Sequence, residues 1–454
     1  MKKFEKVLVA NRGEIAQRII KALKELGIKT IAVYSNVDKD APYVRLADNR
    51  VCLGDAKDSY LNTYKLISAA TAYKVDAIHP GIGFMAESGE FAELCNQCNI
   101  VFIGPGYDLI NAMGNKSRAK QIARECHIPI IEGSEEPVAD IEECEEFGEK
   151  AGYPILLKAT YGGGGKGIRI VNRKEELSDC YELCVKEAKT AFNNGELLVE
   201  KAVQNFKHFE VQILGDTQGN IIHLGDRECT IQRSNQKVIE EARCQNISED
   251  LRQRIYDDAL KIAKYIHYVG PGTVEFLVQN NEKYYFMEIN TRLQVEHTIT
   301  ELITGIDIVK EQIKIFEGCK LELSQRDIKF DGYALQCRIL AENMTQGGFP
   351  SLGKITKWNM PGGLDVRVDN GYGCGNKVTP YYDSLIAKIS CRASNKEQAV
   401  KKMLVSLEET EIEGIKTNVE FLKYILKKDE FLSGDYTEKF MGKAVDRYNK
   451  EYKY

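Results

Sequence analysis

The residues best suited to chemistry stand together in one segment, which runs from Glu288 to Glu296. Every even position is polar: Glu288, Asn290, Arg292, Gln294 and Glu296. Side chains of an extended chain alternate between faces, so a strand here would place all of these groups on one face. An ordinary half-buried strand would alternate in the same way, but two acids, two amides and an arginine favour a cleft. We therefore predict that this segment is extended and lines a polar cleft.

A second acid is expected beside this segment. Glu275 lies in the preceding apolar run Thr273–Val278, and a hairpin between the two runs would bring Glu288 close to it. Two carboxylates without a cation would repel each other. With Asn290 they offer the hard oxygen ligands that suit Mg²⁺ bridged to phosphates.

Four consecutive glycines, Gly162–Gly165, lie between two apolar runs and follow Lys158. A Walker P-loop needs Gly-Lys-Ser/Thr leading into a helix, whereas here Gly167 is followed by Ile168 and a second strand. Two interpretations stay open for the glycines alone: a hairpin whose amides approach phosphates, or a surface turn. Lys158 beside the hairpin favours the phosphate-binding interpretation.

Other polar motifs are less informative. His208 and Glu210 precede a predicted strand, and the run from Arg227 to Lys237 adds cations that by themselves could form a solvated loop. The six histidines are dispersed without H-x-x-x-H spacing, which argues against a zinc hydrolase. Cys95 and Cys98 form a C-x-x-C without a second pair, so we interpret them as buried thiols at a helix end.

Hydrophobic periodicity predicts the elements that position these groups. Residues 6–34 follow a strand–helix–strand pattern, and short apolar runs alternate with helical stretches over the first 110 residues, as a parallel sheet requires. The turn Asn11–Glu14 lacks the glycines of a dinucleotide-binding fingerprint. A small region with its own strands begins near Ile131, and antiparallel strands are predicted around residues 211–214, 273–278 and 284–289.

Composition narrows the class of protein. The chain has 454 residues, of which 43% are hydrophobic and 28% charged, which fits about three packed domains. Its 62 Lys and Arg balance 67 Asp and Glu without a basic block, so nucleic acid is an unfavourable partner. No apolar run is long enough for a signal peptide or a membrane span, and the thirteen cysteines predict reduced thiols. We expect a cytoplasmic protein without a membrane partner.

Taken together, these segments resemble the biotin carboxylase family over nearly the whole chain. The matching motifs are Ala10–Ala16, His79–Gly81, Met113–Lys116, the glycine hairpin, Gln236–Ala242, Glu288–His297 and Pro380–Ser384. The resemblance implies an ATP-grasp fold of α/β and α+β class, with a doubly wound parallel-sheet domain, a mobile lid and a C-terminal antiparallel-sheet domain. The implied divisions are 1–114 (N-terminal domain), 115–131 (helical linker), 132–203 (lid), 204–330 (catalytic half), 331–446 (C-terminal domain) and 447–454 (tail).

The resemblance also implies roles for individual residues. Those expected to bind ATP are Lys116, Lys158, Gly163, Gly164, Gly165, Glu200, Lys201, Val203, His208, Gln232, Glu275, Leu277 and Glu288. Those expected to hold Mg²⁺ or Mn²⁺ are Glu275, Glu288 and Asn290. Bicarbonate is expected beside Lys237, Arg292, Gln294 and Val295.

The implied reaction joins these residues in two steps. Glu296 removes the proton of bicarbonate, which attacks the γ-phosphate of ATP and forms carboxyphosphate. Carboxyphosphate then releases CO₂ and phosphate, the phosphate deprotonates biotin, and Arg338 stabilises the biotin enolate. Lys237, Arg292, Glu296 and Arg338 are thus the expected catalytic residues.

Partners follow from the same resemblance. No Met-Lys-Met is present, the usual setting of a biotinylated lysine, so biotin is expected on a separate carrier protein and its carboxyl group is expected to pass to carboxyltransferase subunits. The family usually forms homodimers. Acetyl-CoA carboxylase, which makes malonyl-CoA for fatty acid synthesis, is the leading expectation for the complex, with pyruvate, propionyl-CoA or another acyl-CoA carboxylase as the alternative.

Several positions depart from the commonest family pattern. Ser234-Asn235 stands where Arg-His is frequent, Arg243 and Thr298 stand where proline is usual, and Gln336 replaces a glutamate. They leave the identity of the complex open. Two rivals remain: an ATP-grasp ligase that couples an acylphosphate to an amine, and a silent nucleotide-binding scaffold. The presence of Glu296 and Arg338 argues against both.

Overall fold

The computed structural model describes residues 3–160 and 167–452, and its N-terminal part is a parallel sheet flanked by helices. The five strands are ordered β3-β2-β1-β4-β5. The predicted strand–helix–strand start and the parallel sheet are confirmed. The elements are β1 (Lys6–Val9), α1 (Gly13–Glu25), β2 (Lys29–Ser35), α2 (Pro42–Leu46), β3 (Asn49–Gly54), α3 (Thr63–Tyr73), β4 (Ala77–His79), α4 (Gly89–Gln97), β5 (Val101–Phe102) and α5 (Tyr107–Gly114).

The next part is a small unit around a three-stranded antiparallel sheet of order β7-β6-β8. Its elements are α6 (Lys116–Glu125), α7 (Ile141–Ala151), β6 (Ile155–Ala159), β7 (Ile168–Val171), α8 (Leu177–Phe192) and β8 (Leu197–Lys201). β6 and β7 pair as the two arms of the predicted hairpin. The glycines Gly163, Gly164 and Gly165 lie outside the described residues.

The largest layer is an eight-stranded antiparallel sheet of order β13-β12-β9-β10-β11-β14-β21-β19. Its first strands and the helices between them are β9 (Phe206–Gly215), β10 (Ile221–Arg233), β11 (Gln236–Ala242), α9 (Glu249–Tyr265), β12 (Gly270–Gln279), β13 (Lys283–Asn290), α10 (His297–Thr304) and α11 (Ile308–Phe316). Buried side chains of α1, such as Ile19 and Leu23, share one core with Leu214 of β9 and Ile313 of α11. This core joins the N-terminal sheet to the large one.

The remaining elements complete that sheet and cover it. They are β14 (Tyr333–Leu340), β15 (Glu342–Asn343), β16 (Phe349–Pro350), β17 (Gly353–Lys354), β18 (Lys357–Asn359), β19 (Val366–Asn370), β20 (Lys377–Val378), β21 (Leu385–Ala393), α12 (Lys396–Glu409), β22 (Glu411–Glu413), α13 (Val419–Leu426), α14 (Asp429–Ser433) and α15 (Phe440–Tyr452). The pairing of β11 with β14 carries the sheet across the predicted division at residue 331, and α15 runs through the one at residue 447.

Three details of the sequence interpretation change. Residues 227–237 are not a solvated loop but the end of β10, a turn and the start of β11. His208 and Glu210 lie within β9 rather than before it. In the C-x-x-C, Cys95 is buried in α4 as predicted, whereas Cys98 at the helix end is exposed. Among the described helices, none combines the length and the apolar character that a bilayer crossing needs.

Candidate active site

The hairpin of β12 and β13 brings the predicted carboxylates together. Glu275 and Glu288 are directly opposite each other in the antiparallel register, which confirms their predicted pairing. The amide nitrogen of Asn290 donates to Glu275 Oε1 at 2.8 Å. Burial, and next the charge of Glu275, raise the pKa of Glu288. A buried carboxylate beside a second one is a poor arrangement without a cation, so these oxygens fit Mg²⁺.

The segment after Asn290 is not a strand, and the predicted extension to Glu296 is wrong. β13 ends at Asn290, and the chain then turns so that Glu296 becomes the residue before α10. The polar side chains nevertheless converge. Arg292 donates to Asn290 Oδ1 at 3.1 Å and to Gln294 Oε1 at 3.2 Å, and Gln294 Nε2 donates to Glu275 Oε1 at 3.3 Å. The turn after Asn290 places Glu296 within contact of cations on other strands.

Those cations come from β11 and β14. Lys237 Nζ lies 2.6 Å from Glu296 Oε1, and the Arg338 guanidinium lies 3.0 Å from Glu296 Oε2. Lys237 also contacts Glu210 at 2.5 Å and Glu275 at 3.1 Å. We call this set, centred on Glu296 with Lys237 and Arg338, the glutamate centre. It joins the predicted catalytic residues to the predicted metal ligands.

Charge fixes the protonation of the glutamate centre. Burial opposes ionisation of Glu296, but Lys237 and then Arg338 hold its pKa well below the ordinary value. Burial likewise opposes the charge of Lys237, yet the surrounding acids raise its pKa well above the usual range. Both groups are therefore ionised at neutral pH. An anion that entered beside Glu296 would add a like charge, and this repulsion would raise the proton affinity of the carboxylate.

A second group of charges surrounds Glu200 on β8. Lys120 Nζ lies 2.7 Å and Lys158 Nζ 3.6 Å from Glu200 Oε1. Lys116, at the start of α6, donates to the carbonyl of Ala159 at 3.1 Å. We call Lys116, Lys120 and Lys158 with Glu200 the lysine cluster. It combines predicted ATP-binding residues from the helical linker and from the strands of the small unit.

The lysine cluster has more cations than anions. Burial and then Lys158 lower the pKa of Lys116 to about 8. Burial opposes ionisation of Glu200, but Lys158 and Lys120 bring its pKa down to about 2. Lys158 and Lys116 also act on Glu288, so the cluster adjoins the carboxylate pair. An excess of buried positive charge beside a candidate metal site suits a polyphosphate.

The remaining predicted residues take several positions. His208 Nε2 lies 2.8 Å from Glu275 Oε2, and Gln232 Nε2 lies 3.2 Å from His208 Nδ1, so both adjoin the carboxylate pair. Leu277 of β12 is opposite His208 of β9, and Val203 lies in the loop between β8 and β9. The Lys201 side chain does not join either charged group, because its amine donates to the carbonyl of Gly152 at 2.6 Å.

A cavity of about 400 Å³ opens beside Val295. The turn after β1, the start of α1, the loop after β4 and the loop before β21 line it, and Glu14 and Ile82 are among its residues. The Val295 carbonyl accepts a hydrogen bond from the fully buried Lys388 at 2.8 Å. Arg338 acts on the Glu14 carboxyl, so the cavity adjoins the glutamate centre.

Sequence reasoning missed several buried partners. Glu210 is held by Arg227 at 2.5 Å, Glu240 by Arg338 at 2.5 Å, and Lys388 pairs with Glu14 at 2.9 Å. A further missed partner is exposed: Glu87 accepts from Arg292 at 2.8 Å. Only Lys120 had a local signal, because it lies four residues after Lys116 and therefore on the same helix face.

Comparison with known proteins decides the family. Residues 3–110 match the family described as the biotin carboxylase N-terminal domain, 115–324 the ATP-binding domain of the carbamoyl-phosphate synthase L chain, and 336–443 the biotin carboxylase C-terminal domain. Biotin carboxylase 1 of Bacillus subtilis (strain 168) is 46% identical over 96% of this chain and 98% of its own length. The chain belongs to the biotin carboxylase family. The predicted ATP-grasp fold and ligase activity are thereby confirmed.

Other similar proteins include a subunit of an oxo-acid carboxylase and a second biotin carboxylase. The 2-oxoglutarate carboxylase small subunit of Hydrogenobacter thermophilus is 46% identical over 96% of this chain and 93% of the relative. The biotin carboxylase domain dimer of that enzyme, solved with MgADP, ADP and bicarbonate, superposes with a TM-score of 0.95 at 44% identity, over 98% of this chain and 99% of that one. A Campylobacter jejuni biotin carboxylase superposes equally well, at 43% identity over 97% and 99% of the two chains.

Proposed function

We propose that the chain transfers the carboxyl group of bicarbonate to biotin held on a carrier protein, with ATP as the energy source and carboxyphosphate as the intermediate. The observation that supports this most directly is the position of Glu296 between Lys237 and Arg338, beside the carboxylate pair. An amine-coupling ATP-grasp ligase has no evident use for this arrangement, and neither does a silent scaffold.

The lysine cluster and the carboxylate pair are proposed to bind the nucleotide. Lys116 and Lys158 would contact the phosphates, with the glycine hairpin and His208 beside them. Glu200, Lys201, Val203, Gln232 and Leu277 are the proposed residues around the remainder of ATP; for Lys201 this contact involves its backbone, since its amine is turned toward Gly152. Glu275, Glu288 and Asn290 would hold Mg²⁺ or Mn²⁺, which supplies charge neutralisation between the β- and γ-phosphates.

Bicarbonate is proposed to bind among Lys237, Arg292, Gln294 and the Val295 backbone. In the structure, Lys237 and Arg338 both contact Glu296, so an entering anion would compete with this carboxylate for their donors. The competition raises the proton affinity of Glu296 when the proton of bicarbonate must be accepted. The resulting dianion attacks the γ-phosphate, and ADP leaves.

Biotin is proposed to approach through the cavity beside Val295. This cavity adjoins Arg338, whose fixed positive charge would stabilise the enolate formed when phosphate removes the biotin proton. Fixed donors at a site of developing charge contribute roughly 3–4 kcal/mol in comparable enzymes. Biotin would arrive on a carrier protein, and carboxyltransferase subunits would accept the carboxyl group.

We propose two candidate carboxylase complexes to which this chain could belong. Acetyl-CoA carboxylase, and hence malonyl-CoA and fatty acid synthesis, remains our first proposal for the complex, on the family resemblance alone. An oxo-acid carboxylase is the second, because the H. thermophilus 2-oxoglutarate carboxylase subunit aligns over nearly the whole chain. We also propose a homodimer, as in the solved H. thermophilus domain. Light scattering of the purified chain tests that state.

The test is ATP cleavage with bicarbonate and free biotin supplied separately. We expect cleavage to require bicarbonate, to accelerate with biotin, and to yield acid-labile label on biotin from labelled bicarbonate. Arg338→Met should lose roughly 100-fold in biotin-dependent turnover, because the enolate loses its cation. ATP cleavage indifferent to bicarbonate, or no label on biotin, would refute the proposal.

A further inference from the structure

Three buried polar side chains form a row beneath α10. Glu240 of β11 is opposite Gln336 of β14, and Gln336 is opposite Ser390 of β21. All three are fully buried. Side chains opposite each other in neighbouring strands point to the same face of the sheet, and Thr298 of α10 lies over this face within hydrogen-bond distance of Gln336.

The hydrogen bonds in this row have a fixed direction. Glu240 accepts from Arg338 Nε at 2.5 Å through one oxygen and from Gln336 Nε2 at 2.9 Å through the other. A carboxylate only accepts, so Gln336 must turn its amide nitrogen toward Glu240. Its carbonyl oxygen then accepts from Thr298 at 2.5 Å and from Ser390 at 3.3 Å.

We propose that Glu240 positions Arg338 for the biotin step, and that Gln336, oriented by Thr298 and Ser390, holds the Glu240 carboxylate in place through an amide donor that does not titrate. This inference rests on the proposed function, since it assigns Arg338 to biotin. It also links two departures from the family pattern, Gln336 and Thr298. An amide at position 336 needs a hydrogen-bond donor for its oxygen, and the hydroxyl of Thr298 supplies it.

The charges around Glu240 show why an amide matters. Arg338 of β14 contacts Glu240, Glu296 precedes α10, and Cys229 lies on β10. Lys237, which lies on β11 like Glu240, contacts Glu296. Lys388 and Arg367 lie opposite Arg338 and Ser390 on the outer strands. Burial favours the neutral form of Glu240, and Glu296 adds repulsion. A second carboxylate at 336 would have to be protonated to donate to Glu240, whereas an amide donates without a proton.

The decisive variant is therefore Gln336→Glu. We expect its kcat/KM for free biotin, relative to wild type, to fall at least about tenfold between pH 6 and pH 9, as the introduced carboxyl loses its proton beside Glu240. Gln336→Met is the matched control, because it removes the same hydrogen bonds without a titrating group and should lower kcat/KM equally at all pH values. Equal pH profiles for Gln336→Glu and wild type would overturn the inference.

Melting temperature gives a readout that is independent of activity. A carboxyl at 336 would have a higher pKa in the folded state than in the unfolded chain, where the pKa of glutamate is about 4.3. Its contribution to the free energy of unfolding therefore decreases as pH rises above that value. The melting temperature of Gln336→Glu should fall further below wild type between pH 5 and pH 8, while the deficit of Gln336→Met stays constant. A constant deficit for both variants would refute the hydrogen-bond arrangement.

A second position guards against misfolding of Gln336→Glu. Thr298→Val removes the hydroxyl that orients the amide and should lower biotin kcat/KM several-fold, whereas Thr298→Ser should restore it. Failure of Thr298→Ser to exceed Thr298→Val would overturn the role of the hydroxyl. Wild-type protein that places no label on biotin would instead refute the proposed function, and the assignment of Glu240 with it.

Discussion

The glutamate centre and the lysine cluster are both buried and charged, but they differ in balance. In the glutamate centre and its neighbours, three carboxylates, those of Glu210, Glu275 and Glu296, contact three cations, which are Lys237, Arg227 and Arg338. In the lysine cluster, one carboxylate, Glu200, faces three lysines. A balanced centre can exchange partners with a small anion and accept a proton. A cation-rich cluster attracts a polyphosphate, and the chemical steps take place at other residues.

The largest expected effect is a loss of turnover that leaves ATP affinity nearly unchanged, which would distinguish the glutamate centre from the lysine cluster. Glu296→Gln keeps the shape of the side chain but removes the proposed base, so kcat should fall by about 10³, within the usual range for general-base catalysis. ATP affinity, measured by titration calorimetry, should change less than threefold because the lysine cluster is intact. Comparable losses of ATP affinity and kcat would show that the two regions act as one.

A pH profile probes the lysine cluster alone. Lys116 has a pKa of about 8 in the free protein, so it is protonated below that pH and loses its charge above it. The kcat/KM for ATP should therefore decline as pH rises through 8, by up to about tenfold per unit. Lys116→Arg stays charged and should remove this decline. A wild-type profile flat to pH 9.5 would contradict the assignment.

The smallest effect is expected at Lys120. Lys120→Met leaves Glu200 free to draw Lys158, now 3.6 Å away, from the phosphates. KM for ATP should rise about threefold, and kcat should not change. The double variant Lys120→Met/Glu200→Gln should recover much of the loss, because the charge is rebalanced. Additive losses in the double variant would exclude the proposed competition, and Lys120→Arg is the matched control.

Sequence reasoning succeeded where the signal was local. The alternation in Thr273–Val278 and the second run predicted a hairpin, and the register confirms Glu275 opposite Glu288. It failed where a distant partner decides the conformation. The alternation continues to Glu296, with Leu293 fully buried, but contacts to Lys237 and Arg338 favour a turn after Asn290. Local sequence does not contain those partners.

The buried charges of β10 and β11 show the same limit. Arg227 and Lys237 suggest a solvated loop because lone cations are rarely buried. Arg227 is nevertheless fully buried, since Glu210 on the neighbouring strand compensates it. The turn between these strands is explained locally: Ser234 and Asn235 both adopt left-handed φ values, 49° and 60°, which a two-residue hairpin requires and asparagine tolerates. Arg243 has φ of 63°, a value that excludes proline.

The pairing of β11 with β14 has a consequence for how the molecule can be divided. Lys237 and Arg338 contact the Glu296 carboxylate from adjacent strands. The distance between these two cations is therefore fixed by a ladder of backbone hydrogen bonds rather than by a flexible joint. Fragments cut near residue 331 would each expose an unpaired strand at a sheet edge, and each would keep only one of the two cations that contact Glu296. Neither fragment should carry out a partial reaction, and only their reassociation, edge to edge, should restore turnover.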